Sequence, residues 1–217
     1  MTMSIPDRER SLFDDWKKQN PSIAQHFIED GVVDEDCFLQ QHCRYVFVLK
    51  EANDLGMSLV DFLRKGAPGN GGHTWNPVCR WLTGRNEHFS EAQRAEILRD
   101  IAVMNLKKED RKYDGGYATS LAELEKVVER DRDFIKKQLE IYAHYSPVVF
   151  VCCGPWLLTM IQKQIFPSAE IHREAVPSYM QPDANRKVFF VAFNHPNAKK
   201  AGLTEKFQYI KGLIGEG

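Results

Sequence analysis

The residues able to do chemistry in this chain gather where short apolar runs end. Phe189-Phe190-Val191-Ala192-Phe193 leads into Asn194-His195-Pro196-Asn197. A His stiffened by a following Pro can hold its imidazole over a pocket. Tyr45-Val46-Phe47-Val48-Leu49 leads into Lys50-Glu51-Ala52-Asn53-Asp54, the run at 101–106 carries Asn105, and Val148-Val149-Phe150-Val151-Cys152-Cys153 leads into Gly154-Pro155. If these runs are parallel strands of one open sheet, their carboxyl ends share an edge, which is where such sheets bind ligands. A carboxylate (Glu51, with Asp54 close by), a carboxamide (Asn105) and an imidazole (His195) then meet in one crevice. Gly154 opens a helix whose free amides form a potential anion seat. The set lacks a metal-ligand pattern. It suits reading a planar polar ligand and activating a water. Each member also has a plain structural reading: a solvated strand-end acid for Glu51, a turn-forming Asn for Asn105, a surface-loop His for His195.

The elements that must position these residues are legible as alternating patterns. Four apolar runs, at 45–49, 101–106, 148–153 and 187–193, read as strands buried on both faces. Helical spacings separate them. Ser4-Ile5-Pro6-Asp7 caps a first helix with Leu12, Phe13 and Trp16 on one face. Asn20-Pro21 ends it, and a second begins with Ile23, Phe27 and Ile28. The stretch 66–72, with four glycines and a proline, reads as an irregular loop leading into His73-Thr74-Trp75-Asn76-Pro77. Capping boxes at Ser90–Gln93 and Ser120–Glu123 open two helices, the second running on to Tyr142. A last helix is expected over 204–214. Strands alternating with helices imply βαβ units with right-handed crossovers. The expected architecture is a three-layer α/β/α sandwich around a four-stranded parallel sheet, in one domain over 1–217, with 1–44 as a helical segment packed on it.

Bulk composition narrows the partners little. Of 217 residues, 43% are hydrophobic and 27% charged, and the formal net charge is −1, which fits a soluble globular protein and announces no polyanion partner. The charge is uneven: residues 1–44 carry nine acids against five Lys and Arg, residues 186–217 two acids against six. The basic end reads either as a face for phosphates or as a helix solvated by lysines. With no leader pattern and no membrane-length apolar stretch, a cytoplasmic location without membrane contact is expected. The five cysteines, Cys152 and Cys153 inside an apolar run among them, read as reduced thiols, and Cys37 and Cys43 lack the spacing of a metal knuckle. No metal and no cofactor is expected.

The order of the strand-end residues resembles that of the uracil-DNA glycosylase superfamily. That family ends its first strand in a motif such as Gly-Glu-Ala-Pro-Gly, and Lys50-Glu51-Ala52-Asn53-Asp54 stands in that place. Its second strand ends in a base-reading Asn, similar to Asn105. Its third ends in a Gly, similar to Gly154, and its fourth in His-Pro-Ser, which His195-Pro196-Asn197 resembles. The likeness spans roughly 45–214. It departs where Lys50 replaces the motif's Gly, Asn53 its Pro and Asn197 its Ser, and the four cysteines of the iron–sulfur branches have no counterparts.

The resemblance implies strand order 2-1-3-4 and a glycosylase that hydrolyses the N-glycosidic bond of a deaminated or damaged base, uracil or similar, in DNA. Glu51 would orient or activate the water, with Asp54 in reserve, and His195 would donate to the base oxygen. Asn105, Lys50, Asn53 and Gly154 would surround the base, and Trp75 would stack on it, with His73 or Trp81 as other stacking choices. Asn197, Lys199 and Lys200 would meet DNA. Leu203 reads either as a wedge filling the vacated stack or as a staple for the last helix. Two other functions stay open. If Lys50 pairs with Glu51, the carboxylate is tied down and the chain is a non-catalytic nucleic-acid- or nucleotide-binding module. The near-neutral charge favours a hydrolase of free nucleosides or nucleotides. The oligomeric state is unknown.

Overall fold

The computed structural model describes residues 3–51, 55–110, 119–175, 177–198 and 200–213. Among them the helices are α1 (Ile5–Gln19), α2 (Pro21–Ala24), α3 (Glu35–Gln40), α4 (Leu59–Arg64), α5 (Gly72–Thr83), α6 (Glu91–Ile97), α7 (Leu121–Arg130), α8 (Arg132–Ala143), α9 (Pro155–Gln164) and α10 (Leu203–Leu213). The strands are β1 (Gly31–Val32), β2 (Arg44–Glu51), β3 (Ile101–Lys107), β4 (Val148–Cys153), β5 (Ile171–His172), β6 (Tyr179–Met180) and β7 (Val188–Phe193).

All seven strands form one sheet, ordered β1-β3-β2-β4-β7-β6-β5. Neighbours among β3, β2, β4 and β7 run parallel, and β1, β6 and β5 join antiparallel at the edges. The sheet is therefore mixed and wider than the four strands expected. The additional strands are two residues each, too short to leave a period in the sequence. One of them, β1, lies within the N-terminal segment that reads as helical, where the second helix stops at Ala24 and Phe27, expected in it, instead bridges Glu109.

Side chains of the central strands alternate between two apolar clusters. Val46 and Val48 of β2 join Phe13 and Trp16 of α1, Leu124 of α7, Tyr142 of α8 and Leu158 of α9 on one face. Tyr45, Phe47 and Leu49 join Leu63 of α4, Trp81 of α5 and Phe207 of α10 on the other. Helices thus cover both faces, which is why the strands are apolar throughout.

Local chemistry explains several helix starts. Ser4, Ser90 and Ser120 accept from backbone N–H groups three residues on, and the latter two complete their capping boxes. Three expectations need correction. The long helix after Ser120 is two helices, broken at the fully buried Asp131, whose carboxylate takes Arg130 at 2.6 Å. His73–Pro77 is not a lead-in but part of α5, with Pro77 inside the helix. Its missing N–H is outweighed by the burial of Trp75, Val78, Cys79 and Trp81. Finally, Lys50, Glu51 and Lys107 belong to strands rather than to the loops after them.

Candidate functional site

The strand ends open into a cleft of about 750 Å³ on the face covered by α4 and α5. Lys50, Glu51, Asn105, Trp75, Gly154, His195 and Asn197 all line it. For Glu51 and Asn105 the reason is register. Leu49 pairs with Asn105 and Glu51 with Lys107 across two parallel strands, and alternate residues share a face. β4 and β7 end in step beside them, Cys153 opposite Phe193.

Glu51 is held on several sides. Its side chain is 3% exposed, and Lys50 Nζ stands 3.0 Å from Oε1. The Thr119 hydroxyl donates to Oε2 and the Thr119 N–H to Oε1 at 3.4 Å. Thr119 is also where two ammonium groups converge: Lys50 Nζ donates to its carbonyl at 3.0 Å and Lys107 Nζ to its hydroxyl oxygen at 3.1 Å. Lys107 is almost wholly buried.

Asn105 is the opposite case. It is fully buried, its backbone N–H donates to Asp30 Oδ2 at 2.6 Å, and neither Nδ2 nor Oδ1 of its side chain has a hydrogen-bond partner. A buried amide with both ends unmatched costs free energy, about 1–3 kcal/mol per orphaned group, unless a ligand completes it. It is among the residues that line the cleft.

His195 lies at the exposed rim. The Asn197 backbone N–H donates to its Nδ1 at 3.2 Å. That bond makes Nδ1 the acceptor and leaves the proton on Nε2, so the neutral ring offers a donor. Partial burial, and then the charge of Lys50, lower its pKa below the ordinary histidine value.

Phe62, Trp75 and Trp156 give the walls an aromatic character. Gly154 has φ +148°, and a Cβ there would stand 3.0 Å from Trp156 Nε1. Only glycine lets the indole fold back over the end of β4. Opposite, the 66–72 segment is clasped by the buried Arg94, which donates to the carbonyls of Gly66 (2.7 Å), Ala67 (3.2 Å) and Phe89 (2.7 Å). Gly66 permits this approach, since a Cβ would lie 1.9 Å from the Glu91 carbonyl oxygen. Cys153 also lines the cleft, but burial raises its thiol pKa well above the usual range. It is an apolar wall rather than a nucleophile.

Other expected residues lie elsewhere. Asn53, Asp54 and Lys199 fall outside the described residues. Lys200 and Leu203 line a second hollow of about 770 Å³, together with His73 and Arg80, which meets the cleft at Asn197. Leu203 is 6% exposed and packs in the apolar cluster under α10, as a staple does. Trp81 is a core residue stacked on Phe47 and Phe207. Sequence reasoning missed Trp156, Lys107 and Thr119. Trp156 follows the strand-end glycine by two residues, and Lys107 follows Asn105 by two on the same face, so both carried a signal. Thr119 lies 68 residues from Glu51 and carried none.

Among the described residues no three His, Cys, Asp or Glu side chains gather as a metal site would need, and no helix is long and apolar enough to cross a membrane. Compared with protein-family models and with curated proteins, the chain matches none.

Proposed function

We propose that the cleft receives a nucleobase swung out of DNA and that the chain hydrolyses its N-glycosidic bond. One observation carries this reading: the buried amide of Asn105, unpartnered at both ends, at the floor of an aromatic-walled cleft. A carboxamide offers one acceptor and paired donors in a plane, which matches the imide or lactam edge of a base such as uracil or hypoxanthine. Trp156 supplies a flat apolar face for stacking, whereas Trp75, 3% exposed, packs chiefly in the core.

The remaining groups fit the chemistry. As the bond to the sugar breaks, negative charge grows on the base and positive charge on the sugar. His195 Nε2–H stabilises the first by donating to the base oxygen. The fixed carboxylate of Glu51 stabilises the second and orients a water for attack. The strand order β3-β2-β4-β7 agrees with the order that the resemblance to uracil-DNA glycosylases implies, and so supports a sandwich of that kind.

A second reading, a binding module without catalysis, is favoured by the Lys50–Glu51 contact at 3.0 Å, which offsets the charge of the carboxylate. One experiment separates them. Oligonucleotides carrying uracil, hypoxanthine, xanthine or a thymine mismatch are incubated with the protein and then treated with alkali. Hydrolysis gives strand breaks that Glu51→Gln and His195→Ala remove. Salt-sensitive DNA binding with no breaks on any lesion selects the binding module. Cleavage of free nucleosides, indifferent to salt, moves the substrate from DNA to small molecules.

A further inference from the structure

We propose that Lys50 is an imine-forming nucleophile, which takes up the ring-opened aldehyde of a base-free deoxyribose in the same cleft. The inference rests on the reading of the cleft as one that receives a nucleotide. Three observations carry it. Lys50 is among the residues that line the cleft and its side chain is 23% exposed, so its amine is neither sealed in the core nor free in solvent. Its Nζ is 3.0 Å from Glu51 Oε1, which gives the ammonium an immediate acceptor for a proton. Its neighbour across Thr119 is a second ammonium, that of Lys107, nearly buried in the strand alongside. A lysine held at the edge of a cleft with a proton acceptor in contact is placed to attack a carbonyl carbon. Lys50 and His195 both line the cleft, and the charge of Lys50 is the second cause of the lowered His195 pKa.

The step balances without an added reactant. The Lys50 ammonium passes a proton to Glu51, freeing the nitrogen lone pair. The lone pair attacks C1′ of the aldehyde, an N–C bond forms, and the carbonyl π electrons move to oxygen. A proton shifts from nitrogen to that oxygen, giving a carbinolamine. Glu51 returns its proton to the hydroxyl, the C–O bond breaks, water leaves, and a protonated imine remains on Lys50. The residue that departs from the glycosylase motif thereby becomes the group that holds the product of base removal.

The test uses sodium borohydride, which reduces an imine to a stable secondary amine. The full chain is mixed with an oligonucleotide bearing a preformed abasic site, and separately with 2-deoxyribose 5-phosphate, then reduced and digested for mass spectrometry. Because the abasic site is preformed, the result does not depend on base excision. The expected result is an adduct on the peptide containing Lys50, lost in Lys50→Arg, which keeps the charge beside Glu51 and therefore the fold. An adduct with the sugar phosphate but not the oligonucleotide keeps the imine chemistry and removes DNA as the substrate. No adduct with either probe, or adducts only at the N-terminus or at other lysines, overturns the proposal. So does an adduct at Lys50 that survives at full yield in Glu51→Gln, since the proton path would then be wrong.

Discussion

Two clusters of charge flank the end of β3, built from the same residue types and finished differently. On the face covered by α1 and α8, Lys108 Nζ contacts both Asp30 oxygens at 2.7 and 2.6 Å and Gln138 Oε1 at 2.8 Å. Gln138 Nε2 donates to Asp30 at 2.8 Å and to the Tyr142 hydroxyl at 3.2 Å, and that hydroxyl donates to Glu9 at 2.6 Å. Glu9 also accepts the Val32 N–H at 3.1 Å. Every partner is protein. On the other face Lys50, Glu51, Thr119 and Lys107 form a similar chain, but it opens on a cleft and stands beside an amide with no partner. Asn105 joins the two: its backbone N–H is bonded to Asp30, while its side chain lines the cleft. The closed cluster therefore holds still the residue that the open one leaves available. A polar network completed from within is architecture, and one left incomplete is a site.

The largest effect expected from this contrast is on stability. Lys108 and Asp30 are fully buried, so Lys108→Met strands a carboxylate and should cost about 3–5 kcal/mol. Lys50→Met leaves the buried Glu51 carboxylate with its Thr119 donors and should cost less, about 1–3 kcal/mol. Urea unfolding of both variants measures the two costs. Equal losses would erase the distinction between the clusters.

Next is Asn105. Asn105→Ala removes an orphaned amide, so folding stability should hold or rise slightly, while discrimination between bases should fall by about 1–3 kcal/mol, roughly ten- to hundredfold. Gln138→Ala, its counterpart in the closed cluster, should do the reverse, lowering stability first. Paired melting curves and base-binding titrations check the crossing. A large stability loss in Asn105→Ala would mean that its amide has a structural partner after all.

The pH dependence of the closed cluster comes third. Burial is the main cause that raises the Glu9 pKa from 4.5 to about 8, with Asp30 adding to it. The folded state thus holds a proton that the unfolded chain releases. That contribution to stability is fully present below about 4.5 and is lost as pH rises through about 8. Wild type should lose up to about 1.4 kcal/mol per pH unit across this window relative to Glu9→Gln. Parallel slopes for the two proteins would place the titration elsewhere.

How much of this was readable beforehand differs between the clusters. The cleft residues Glu51, Asn105, Gly154 and His195 announced themselves by ending apolar runs, and parallel pairing does the rest, since it aligns strand ends without detailed packing. The closed cluster was invisible. Glu9, Asp30, Lys108 and Gln138 come from four separate segments, and each taken alone reads as a surface residue. Only the pairing of β1 with β3 and the packing of α1 on α8 bring them together. The same limit hid Thr119. Strand alternation carries information over two residues, whereas the contacts of a buried charge are set by tertiary geometry.

The smallest effect probes the open cluster from within. Packing around the ring is the main cause of the lowered His195 pKa and the charge of Lys50 the second. Lys50→Met should therefore move the His195 titration upward, toward the ordinary value, without reaching it. Lys50→Arg should leave it nearly in place, because the charge remains. Protonation adds a hydrogen to Nδ1, where the Asn197 N–H already points, so the bond that fixes the donor tautomer is lost as pH falls through this pKa. Ligand binding should weaken over the same interval in wild type and at a higher pH in Lys50→Met. Ring-proton NMR titration, run beside binding at each pH, follows both. If the His195 midpoint does not respond to Lys50→Met, amine and imidazole do not share one field, and the two rims of the cleft act separately.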